Sequence, residues 1–374
     1  MRVLLALDSF KGSLRAQSVA LCLQNGLQRA WRARAHVRVV PLGDGGEGTL
    51  EALCGDQEPT TMPVCGPDGQ VVQGAMWIQD EKAWIEVASA CGLEKVTTNH
   101  PSLRTSYGVG QLVLAAVEAG AKQISLGCGG TATVDLGLGM LQALGAVVEL
   151  DGAGANEAGL CMADLARVRS VDLGPALRKL GGVELVAAVD VTNRLGGSDG
   201  AVEYALQKGA KPDELAALQA ALEQAGASLE QACGESVGKR PGAGAAGGIP
   251  AALMALGGRI ETGFEAVAAQ VGLGEALLWA DVVVTGEGRL DATTGRGKVV
   301  SRVLERCQGL RPCWVVAGQA SFDGVKEAMG MGAMSVMTLA RGGDEDIRDA
   351  IANPEPRLEL LGFELGSVLG FERP

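Results

Sequence analysis

The chain is poor in histidine, aromatic residues and positive charge. Its 374 residues include 2 His, 5 Phe, 5 Trp and 2 Tyr, and 32 Lys plus Arg stand against 44 Asp plus Glu, for a formal net charge of −12. Such a surface repels phosphate backbones, so no nucleic-acid partner is expected. Neither histidine lies in a glycine-rich loop: His36 leads into a strand pattern and His100 precedes Pro101. Histidine acid–base chemistry is therefore set aside, and a carboxylate is the expected proton acceptor. The 9 cysteines show no C-x-x-C and no zinc-like spacing, which reads as reduced thiols in a cytoplasmic protein. Met1-Arg2 opens directly into a strand pattern, so no signal peptide is read at this end. No apolar run approaches 18 residues without Gly or a charge, which argues against a membrane span. The G-x-x-x-x-G-K-[ST] phosphate loop is also missing.

Glycine and apolar β-branched runs are plentiful. Gly accounts for 56 residues, and many fall in five acid- or amide-bearing loops, each joined to the end of an apolar run. Val3–Leu7 leads into Asp8-Ser9-Phe10-Lys11-Gly12-Ser13, and Val37–Val40 into Gly43-Asp44-Gly45-Gly46-Glu47-Gly48. Ile124–Leu126 leads into Gly127–Asp135, Val282–Val284 into Thr285–Asp291, and Trp314–Val316 into Ala317-Gly318-Gln319. In open parallel sheets such loops share one edge, where ligands bind. The pattern predicts a composite site drawn from distant parts of the chain.

Periodicity predicts a helix over Gly12–Arg34 capped by Ser13, antiparallel hairpin strands between Pro63 and Val87, a helix before the Ile124 strand and another over Gly137–Leu144. Asp151–Leu180 reads as irregular, Asp213–Gln231 as an amphipathic helix and Pro250–Leu256 as a short one. The expected fold is α/β with a cleft between two domains. One is a discontinuous, Rossmann-like parallel-sheet domain of residues 1–60, 105–145 and 265–374. The other is an inserted mixed α/β domain of residues 61–104 and 146–264.

Each loop carries a chemical and a plain structural possibility. Asp8, Ser9 and Lys11 suit an anionic ligand at a helix N-terminus, or form a capped turn with a solvated lysine. Asp44 and Glu47, set among four glycines, suit Mg²⁺ or hydroxyl groups, or are exposed acids in a turn. Glu287, Arg289, Asp291, Arg296 and Lys298 form the densest group, able to clamp phosphate oxygens around a metal. Asp190 emerges from the Val183–Val189 run as a candidate base or metal ligand. Lys208 could add a cation or simply end a helix before Gly209. Gly242-Ala243-Gly244-Ala245-Ala246-Gly247 spells G-x-G-x-x-G but follows Lys239-Arg240-Pro241 and not a strand, which weakens it as a dinucleotide fingerprint. Cations, acids and a carboxylate base without histidine match phosphoryl transfer.

Across nearly its whole length the chain resembles the type I glycerate kinases. The matching stretches are Leu7–Leu14, Asp44–Thr49, Thr105–Gly110, Gly129–Asp135, Met140–Gly145, Asp190–Asn193, Gln207–Ala210, Gly242–Gly248, Thr285–Asp291 and Gly297-Lys298. The resemblance implies ATP- and Mg²⁺-dependent phosphorylation of D-glycerate to 2-phosphoglycerate. It departs from the family pattern at Thr131, Val134, Leu136 and Glu203-Tyr204-Ala205-Leu206. On this basis Asp190 is the expected base, and Lys11, Arg296 and Lys298 bind anionic oxygens. Glu287 and Asp291 are the expected metal ligands. Asp8, Ser9, Asp44, Gly45, Gly46, Glu47, Gly129, Gly130, Thr131, Asn193, Lys208 and Arg289 are expected to bind substrate or nucleotide. Two other possibilities stand beside this one: an NAD(P)-dependent dehydrogenase built on the Gly242 motif, and a non-catalytic sugar-acid sensor.

Overall fold

The computed structural model describes residues 1–10, 12–31, 36–43, 45, 48–55, 57–152, 158–197, 200–291, 294 and 299–371. They form two compact units. The first comprises residues 1–44, 51–58 and 267–374, and the second residues 45–50 and 59–266.

The first unit is built on a five-stranded sheet of β1 (Arg2–Leu7), β2 (His36–Pro41), β11 (Val282–Leu290), β12 (Cys313–Ala320) and β13 (Ser335–Thr338). Their order is β13-β12-β11-β1-β2, and every pairing is parallel. Strand alternation sends Val3, Leu5 and Leu7, with Val282, Val284, Trp314 and Val316, into a core shared with helices Ala16–Trp31 and Pro354–Phe371. Those two helices cross very closely. A Cβ on Gly26 would lie 2.1 Å from the Glu359 carbonyl oxygen, and one on Gly362 would lie 2.3 Å from that of Leu23. Some of the glycine that the sequence suggested for loops is thus spent on helix packing, where only hydrogen fits between the backbones. The first helix starts at Ala16, not Gly12. Ser13 is not its cap, because its hydroxyl donates to the Ile351 carbonyl (3.0 Å).

The second unit holds a six-stranded sheet of β3 (Thr60–Cys65), β4 (Val71–Gln79), β5 (Lys82–Glu86), β6 (Gln123–Gly127), β9 (Glu184–Ala188) and β10 (Arg259–Glu261), in the order β10-β9-β6-β5-β4-β3. Strands β3, β4 and β5 form the expected antiparallel hairpins, while β5, β6, β9 and β10 run parallel. The segment 105–145, expected with the chain ends, belongs here instead. Its strand β6 pairs with β5 and β9, and its helix Tyr107–Glu118 shares the second unit's core. The stretch 151–180 is more regular than its composition suggested. A 3₁₀ turn (Met162–Arg167) leads into β8 (Val168–Asp172), which pairs antiparallel with β7 (Val147–Leu150), and a helix follows at Gly174–Leu180. The amphipathic helix spans Leu215–Cys233. Among the described residues, no helix is long and apolar enough to cross a membrane.

Candidate functional site

Parallel pairing places the C-terminal ends of neighbouring strands on one sheet edge, and both units carry predicted site residues there.

In the first unit Asp8 and Ser9 follow β1. The Ser9 amide donates to Asp8 Oδ1 at 2.6 Å, and the Ser9 hydroxyl reaches the same oxygen at 3.3 Å. The Asp8 amide donates to the Gly286 carbonyl (2.9 Å), so the turn after β1 is tied to β11. The expected loop at Thr285–Asp291 is mostly strand. β11 continues to Leu290, with Glu287 opposite Ala317 and Arg289 opposite Gln319 in β12. The glycines extend pairing here, since a Cβ on Gly286 would lie 2.1 Å from the Val316 carbonyl oxygen. The Glu287 carboxylate, in a buried residue, accepts the Thr294 hydroxyl (2.9 Å), and Thr294 Oγ1 in turn accepts the Asp291 amide (3.0 Å). Arg289 is largely exposed, with its Nε 3.4 Å from Asp291 Oδ2. Lys11, Asp44, Gly46, Glu47, Arg296 and Lys298 lie outside the described residues.

In the second unit three segments meet at one edge. Gly129, Gly130 and Thr131 follow β6, Asp190 and Asn193 follow β9, and Thr262-Gly263 follows β10. Asp190 is exposed past its buried strand, and its Oδ1 accepts the Gly263 amide at 3.0 Å. Gly45 is buried at the same edge, where a Cβ would lie 2.5 Å from Gly263 Cα. The Asn193 carboxamide is oriented at both ends: its nitrogen donates to Glu203 and its oxygen accepts the Tyr204 hydroxyl (3.2 Å). Two residues that depart from the family pattern thus hold a predicted site residue in place.

Lys208 does not merely end a helix. It is buried, and its ammonium donates to Thr131 Oγ1 (3.0 Å) and the Thr133 carbonyl (2.9 Å). Burial pushes its pKa down to about 8, with the nearby Asp135 opposing the shift and Arg104 reinforcing it. Close to it Asp135 is wholly buried and accepts four hydrogen bonds: from the Ser106 amide (2.8 Å) and hydroxyl (2.7 Å), and from the Gly137 (3.1 Å) and Gly139 (3.3 Å) amides. Burial outweighs those bonds and raises its pKa. This network had no predicted role, and neither did the buried ion pair of Arg104 with Asp68 (3.5 Å). The only sequence signal was that Ser106 and Asp135 sit in matching family stretches, which gives no partner for either.

The Gly242 motif opens no dinucleotide site. It follows a 3₁₀ turn (Val237–Lys239), and its glycines lie against neighbouring backbone, with a Cβ on Gly244 falling 2.1 Å from the Arg194 carbonyl oxygen and one on Gly247 2.1 Å from that of Thr133. Among the described residues no three His, Cys, Asp or Glu side chains group as metal ligands. Mg²⁺ needs only one or two carboxylates when substrate phosphates supply the remaining oxygens. Glu287 and Asp291, close together at the end of β11, fit that smaller requirement by their chemistry.

Residues 3–369 match the family model described as the glycerate kinase family. The chain is 37% identical to the glycerate 2-kinase of Escherichia coli (strain K12), over 94% of this chain and 95% of that one. It is 35% identical to the glycerate kinase of Haemophilus influenzae, over the full length of both. A crystal structure from Salmonella typhimurium LT2, of a protein assigned as glycerate kinase 2, superposes with a TM-score of 0.87 at 32% identity, covering 99% of this chain and 98% of that one.

Proposed function

The chain belongs to the glycerate kinase family, and from that premise we propose that it transfers the γ-phosphoryl group of ATP to the 2-hydroxyl of D-glycerate. The observation that carries the reading is Asp190. Its carboxylate stands exposed at a sheet edge with one oxygen engaged by the Gly263 amide, beside the Gly129–Thr131 loop that Lys208 braces. A carboxylate oriented by a backbone donor and open to solvent can accept the proton of a substrate hydroxyl as the O–P bond forms. Asn193, held by Glu203 and Tyr204, supplies a fixed amide to the same acceptor.

In the first unit Asp8, Ser9, Glu287, Arg289 and Asp291 serve the nucleotide phosphates. Glu287 and Asp291 would hold Mg²⁺, which neutralises phosphate charge when bound. Lys11, Arg296 and Lys298 are assigned to anionic oxygens by the family resemblance. In this reaction class positioning and charge neutralisation provide the catalysis. The dehydrogenase alternative loses its main support, because the glycines that suggested it are packed against backbone.

The test is ADP release from ATP with D-glycerate, with the product identified by ³¹P NMR. Mg²⁺-dependent formation of 2-phosphoglycerate is expected. Formation of 3-phosphoglycerate refutes the regiochemistry, and no glycerate-dependent ADP refutes the kinase reading.

A further inference from the structure

Lys208 and Arg104 are two buried cations linked by a hydrogen bond: the guanidinium of Arg104 donates through Nη1 to the Lys208 carbonyl and through Nη2 to the Thr98 carbonyl (3.2 Å). Its Nε faces Asp68 Oδ1 at 3.5 Å, and both side chains are within a few per cent of full burial (6% and 3% exposed). Asp68 is fixed in turn, its other oxygen accepting the Thr97 (2.6 Å) and Thr98 (2.9 Å) amides. Lys208 therefore has its backbone held by Arg104 and its ammonium aimed at Thr131 and Thr133. Burying two neighbouring positive charges is costly, and apolar residues often fill such space as well or better. A chain that keeps two such charges in spite of that cost points to a task for them beyond folding.

We propose that Arg104 and Lys208 form a buried strut that positions the Gly129–Thr133 loop, and sets a positive potential beneath it, for an anionic oxygen group of the substrate. The strut runs from Asp68 through Arg104 to the backbone of Lys208, and from the Lys208 ammonium to the loop. Because the Lys208 ammonium is engaged by Thr131 and Thr133 and Arg104 by backbone carbonyls and Asp68, both are assigned as positioning residues, in place of the direct binding expected of Lys208. The inference rests on the reading of that loop as part of the kinase site.

The loop has other ties as well, among them the Thr133 hydroxyl to Cys91 Sγ (3.9 Å). The Gly130 carbonyl accepts the Leu93 amide (3.0 Å), the Ala132 amide donates to the Cys91 carbonyl (2.8 Å), and Thr131 bridges Gly92. Without Lys208, Thr131 Oγ1 and the Thr133 carbonyl would lose a charge-assisted donor inside the protein. The titratable and charged groups facing the ammonium are Cys91, Asp135 and Arg104. Cys91 is pushed up to about 12 by burial and so is neutral at working pH.

The experiment uses the full chain with Lys208→Met and Arg104→Lys, reading thermal unfolding, steady-state kinetics from pH 6 to 10, and amide hydrogen exchange of residues 129–133. Lys208→Met should fold, lower kcat/KM by about tenfold or more, mainly through KM, and speed loop exchange by about tenfold. The wild type is expected to lose activity on the alkaline side as Lys208 deprotonates, and Lys208→Met should lack that limb. Arg104→Lys keeps the charge beside Asp68 but cannot reach both carbonyls. It should loosen the loop while leaving the alkaline limb in place. A folded Lys208→Met with wild-type loop exchange overturns the proposal, as does one with an unchanged alkaline limb. A Lys208→Met chain that cannot fold overturns it too, since the strut would then hold the unit and not the loop. Loop exchange is read without turnover, so a wild type inactive on glycerate would sink the kinase reading and leave the strut to be judged on exchange alone.

Discussion

Replacing Gly247 with alanine should separate two costs that glycine hides. Gly247 has φ +70°, and a Cβ there would lie 2.1 Å from the Thr133 carbonyl oxygen and 2.7 Å from Val134 Cα. Left-handed backbone costs a non-glycine residue about 1 kcal/mol. The clash is with backbone, so the 133–134 segment must move, and overpacking of this kind adds about 1–3 kcal/mol. That movement also strains two hydrogen bonds, from Lys208 to the Thr133 carbonyl (2.9 Å) and from the Leu136 amide to the Gly247 carbonyl (2.9 Å). The total is about 3 kcal/mol. Gly257 is the control: it lies in the same unit at φ +83° with nothing within 4 Å of its Cβ position. Its alanine variant should cost only the conformational term of about 1 kcal/mol. A difference of about 2 kcal/mol between the two corresponds to roughly 4–8 °C in the midpoint of a scanning-calorimetry transition. Gly247→Ala should also lose activity, because the carbonyl it displaces is the one Lys208 holds. Equal midpoints for the two variants would refute the claim that this glycine run exists for close backbone packing.

Three further outcomes follow from the geometry. Asp190→Asn should lower kcat by about 10²-fold or more while leaving the unfolding midpoint near wild type, since the residue is exposed and an amide oxygen can still accept from Gly263; wild-type turnover would remove Asp190 as the base. Thr294→Val leaves Glu287 Oε1 and the Asp291 amide without their shared hydroxyl, and should raise the KM for ATP severalfold at a stability cost of about 1–3 kcal/mol, measurable by urea unfolding. Hydrogen bonds from the Arg2 side chain and amide hold Asp281 down to about 2 from 3.8. The folded pKa is depressed, so this pair's contribution is present above about pH 4 and is lost as pH falls through 2. Because both side chains are more than a third exposed, it should amount to less than about 1 kcal/mol in an Asp281→Asn comparison across that acid window.

Much of the fold was legible because strand signals are local. Apolar β-branched runs at Val3, Val37, Ile124, Val183, Val282 and Trp314 all became strands, and the Pro67-Asp68-Gly69 turn gave its hairpin. Sheet membership was not local. Nothing within residues 105–145 states whether their strand pairs with β1 or with β5, and a parallel pairing is decided by segments far away in sequence. Strand length at the site was also misjudged, because Gly286 and Gly288 look like loop residues. Gly286 instead lets β11 run flush against β12, where a Cβ on it would lie 2.1 Å from the Val316 carbonyl oxygen, and a Cβ on Gly318 of β12 would lie 2.5 Å from the Gly288 carbonyl oxygen. Asp190 could be nominated because an acid at the end of a buried strand is visible in sequence, and it does stand exposed past β9. The task of Lys208 was hidden, because its partners Thr131 and Thr133 stand more than seventy positions away.

A chain of net charge −12 that acts on an anionic acid as proposed must create positive potential locally, and the proposed strut would do so from beneath the surface of the second unit. An exposed lysine is screened by water and neighbouring acids, whereas a buried ammonium acts through a medium of lower dielectric. The cost is measurable. Lys208 has its folded pKa lowered from 10.5 to about 8 by burial. For a depressed base the penalty is fully present below pH 8 and disappears as pH rises through 10.5, so wild-type stability relative to Lys208→Met should rise across that window by roughly 3 kcal/mol. At neutral pH the variant escapes this penalty but leaves the Thr133 carbonyl and Thr131 hydroxyl short of a donor, at about 1–3 kcal/mol. The two terms nearly cancel, so the variant should be about as stable as wild type at pH 7 and less stable at pH 10. Paired urea titrations at the two pH values check this. A stability difference independent of pH would mean that Lys208 does not carry a buried charge, and that the positive potential assigned to it is absent.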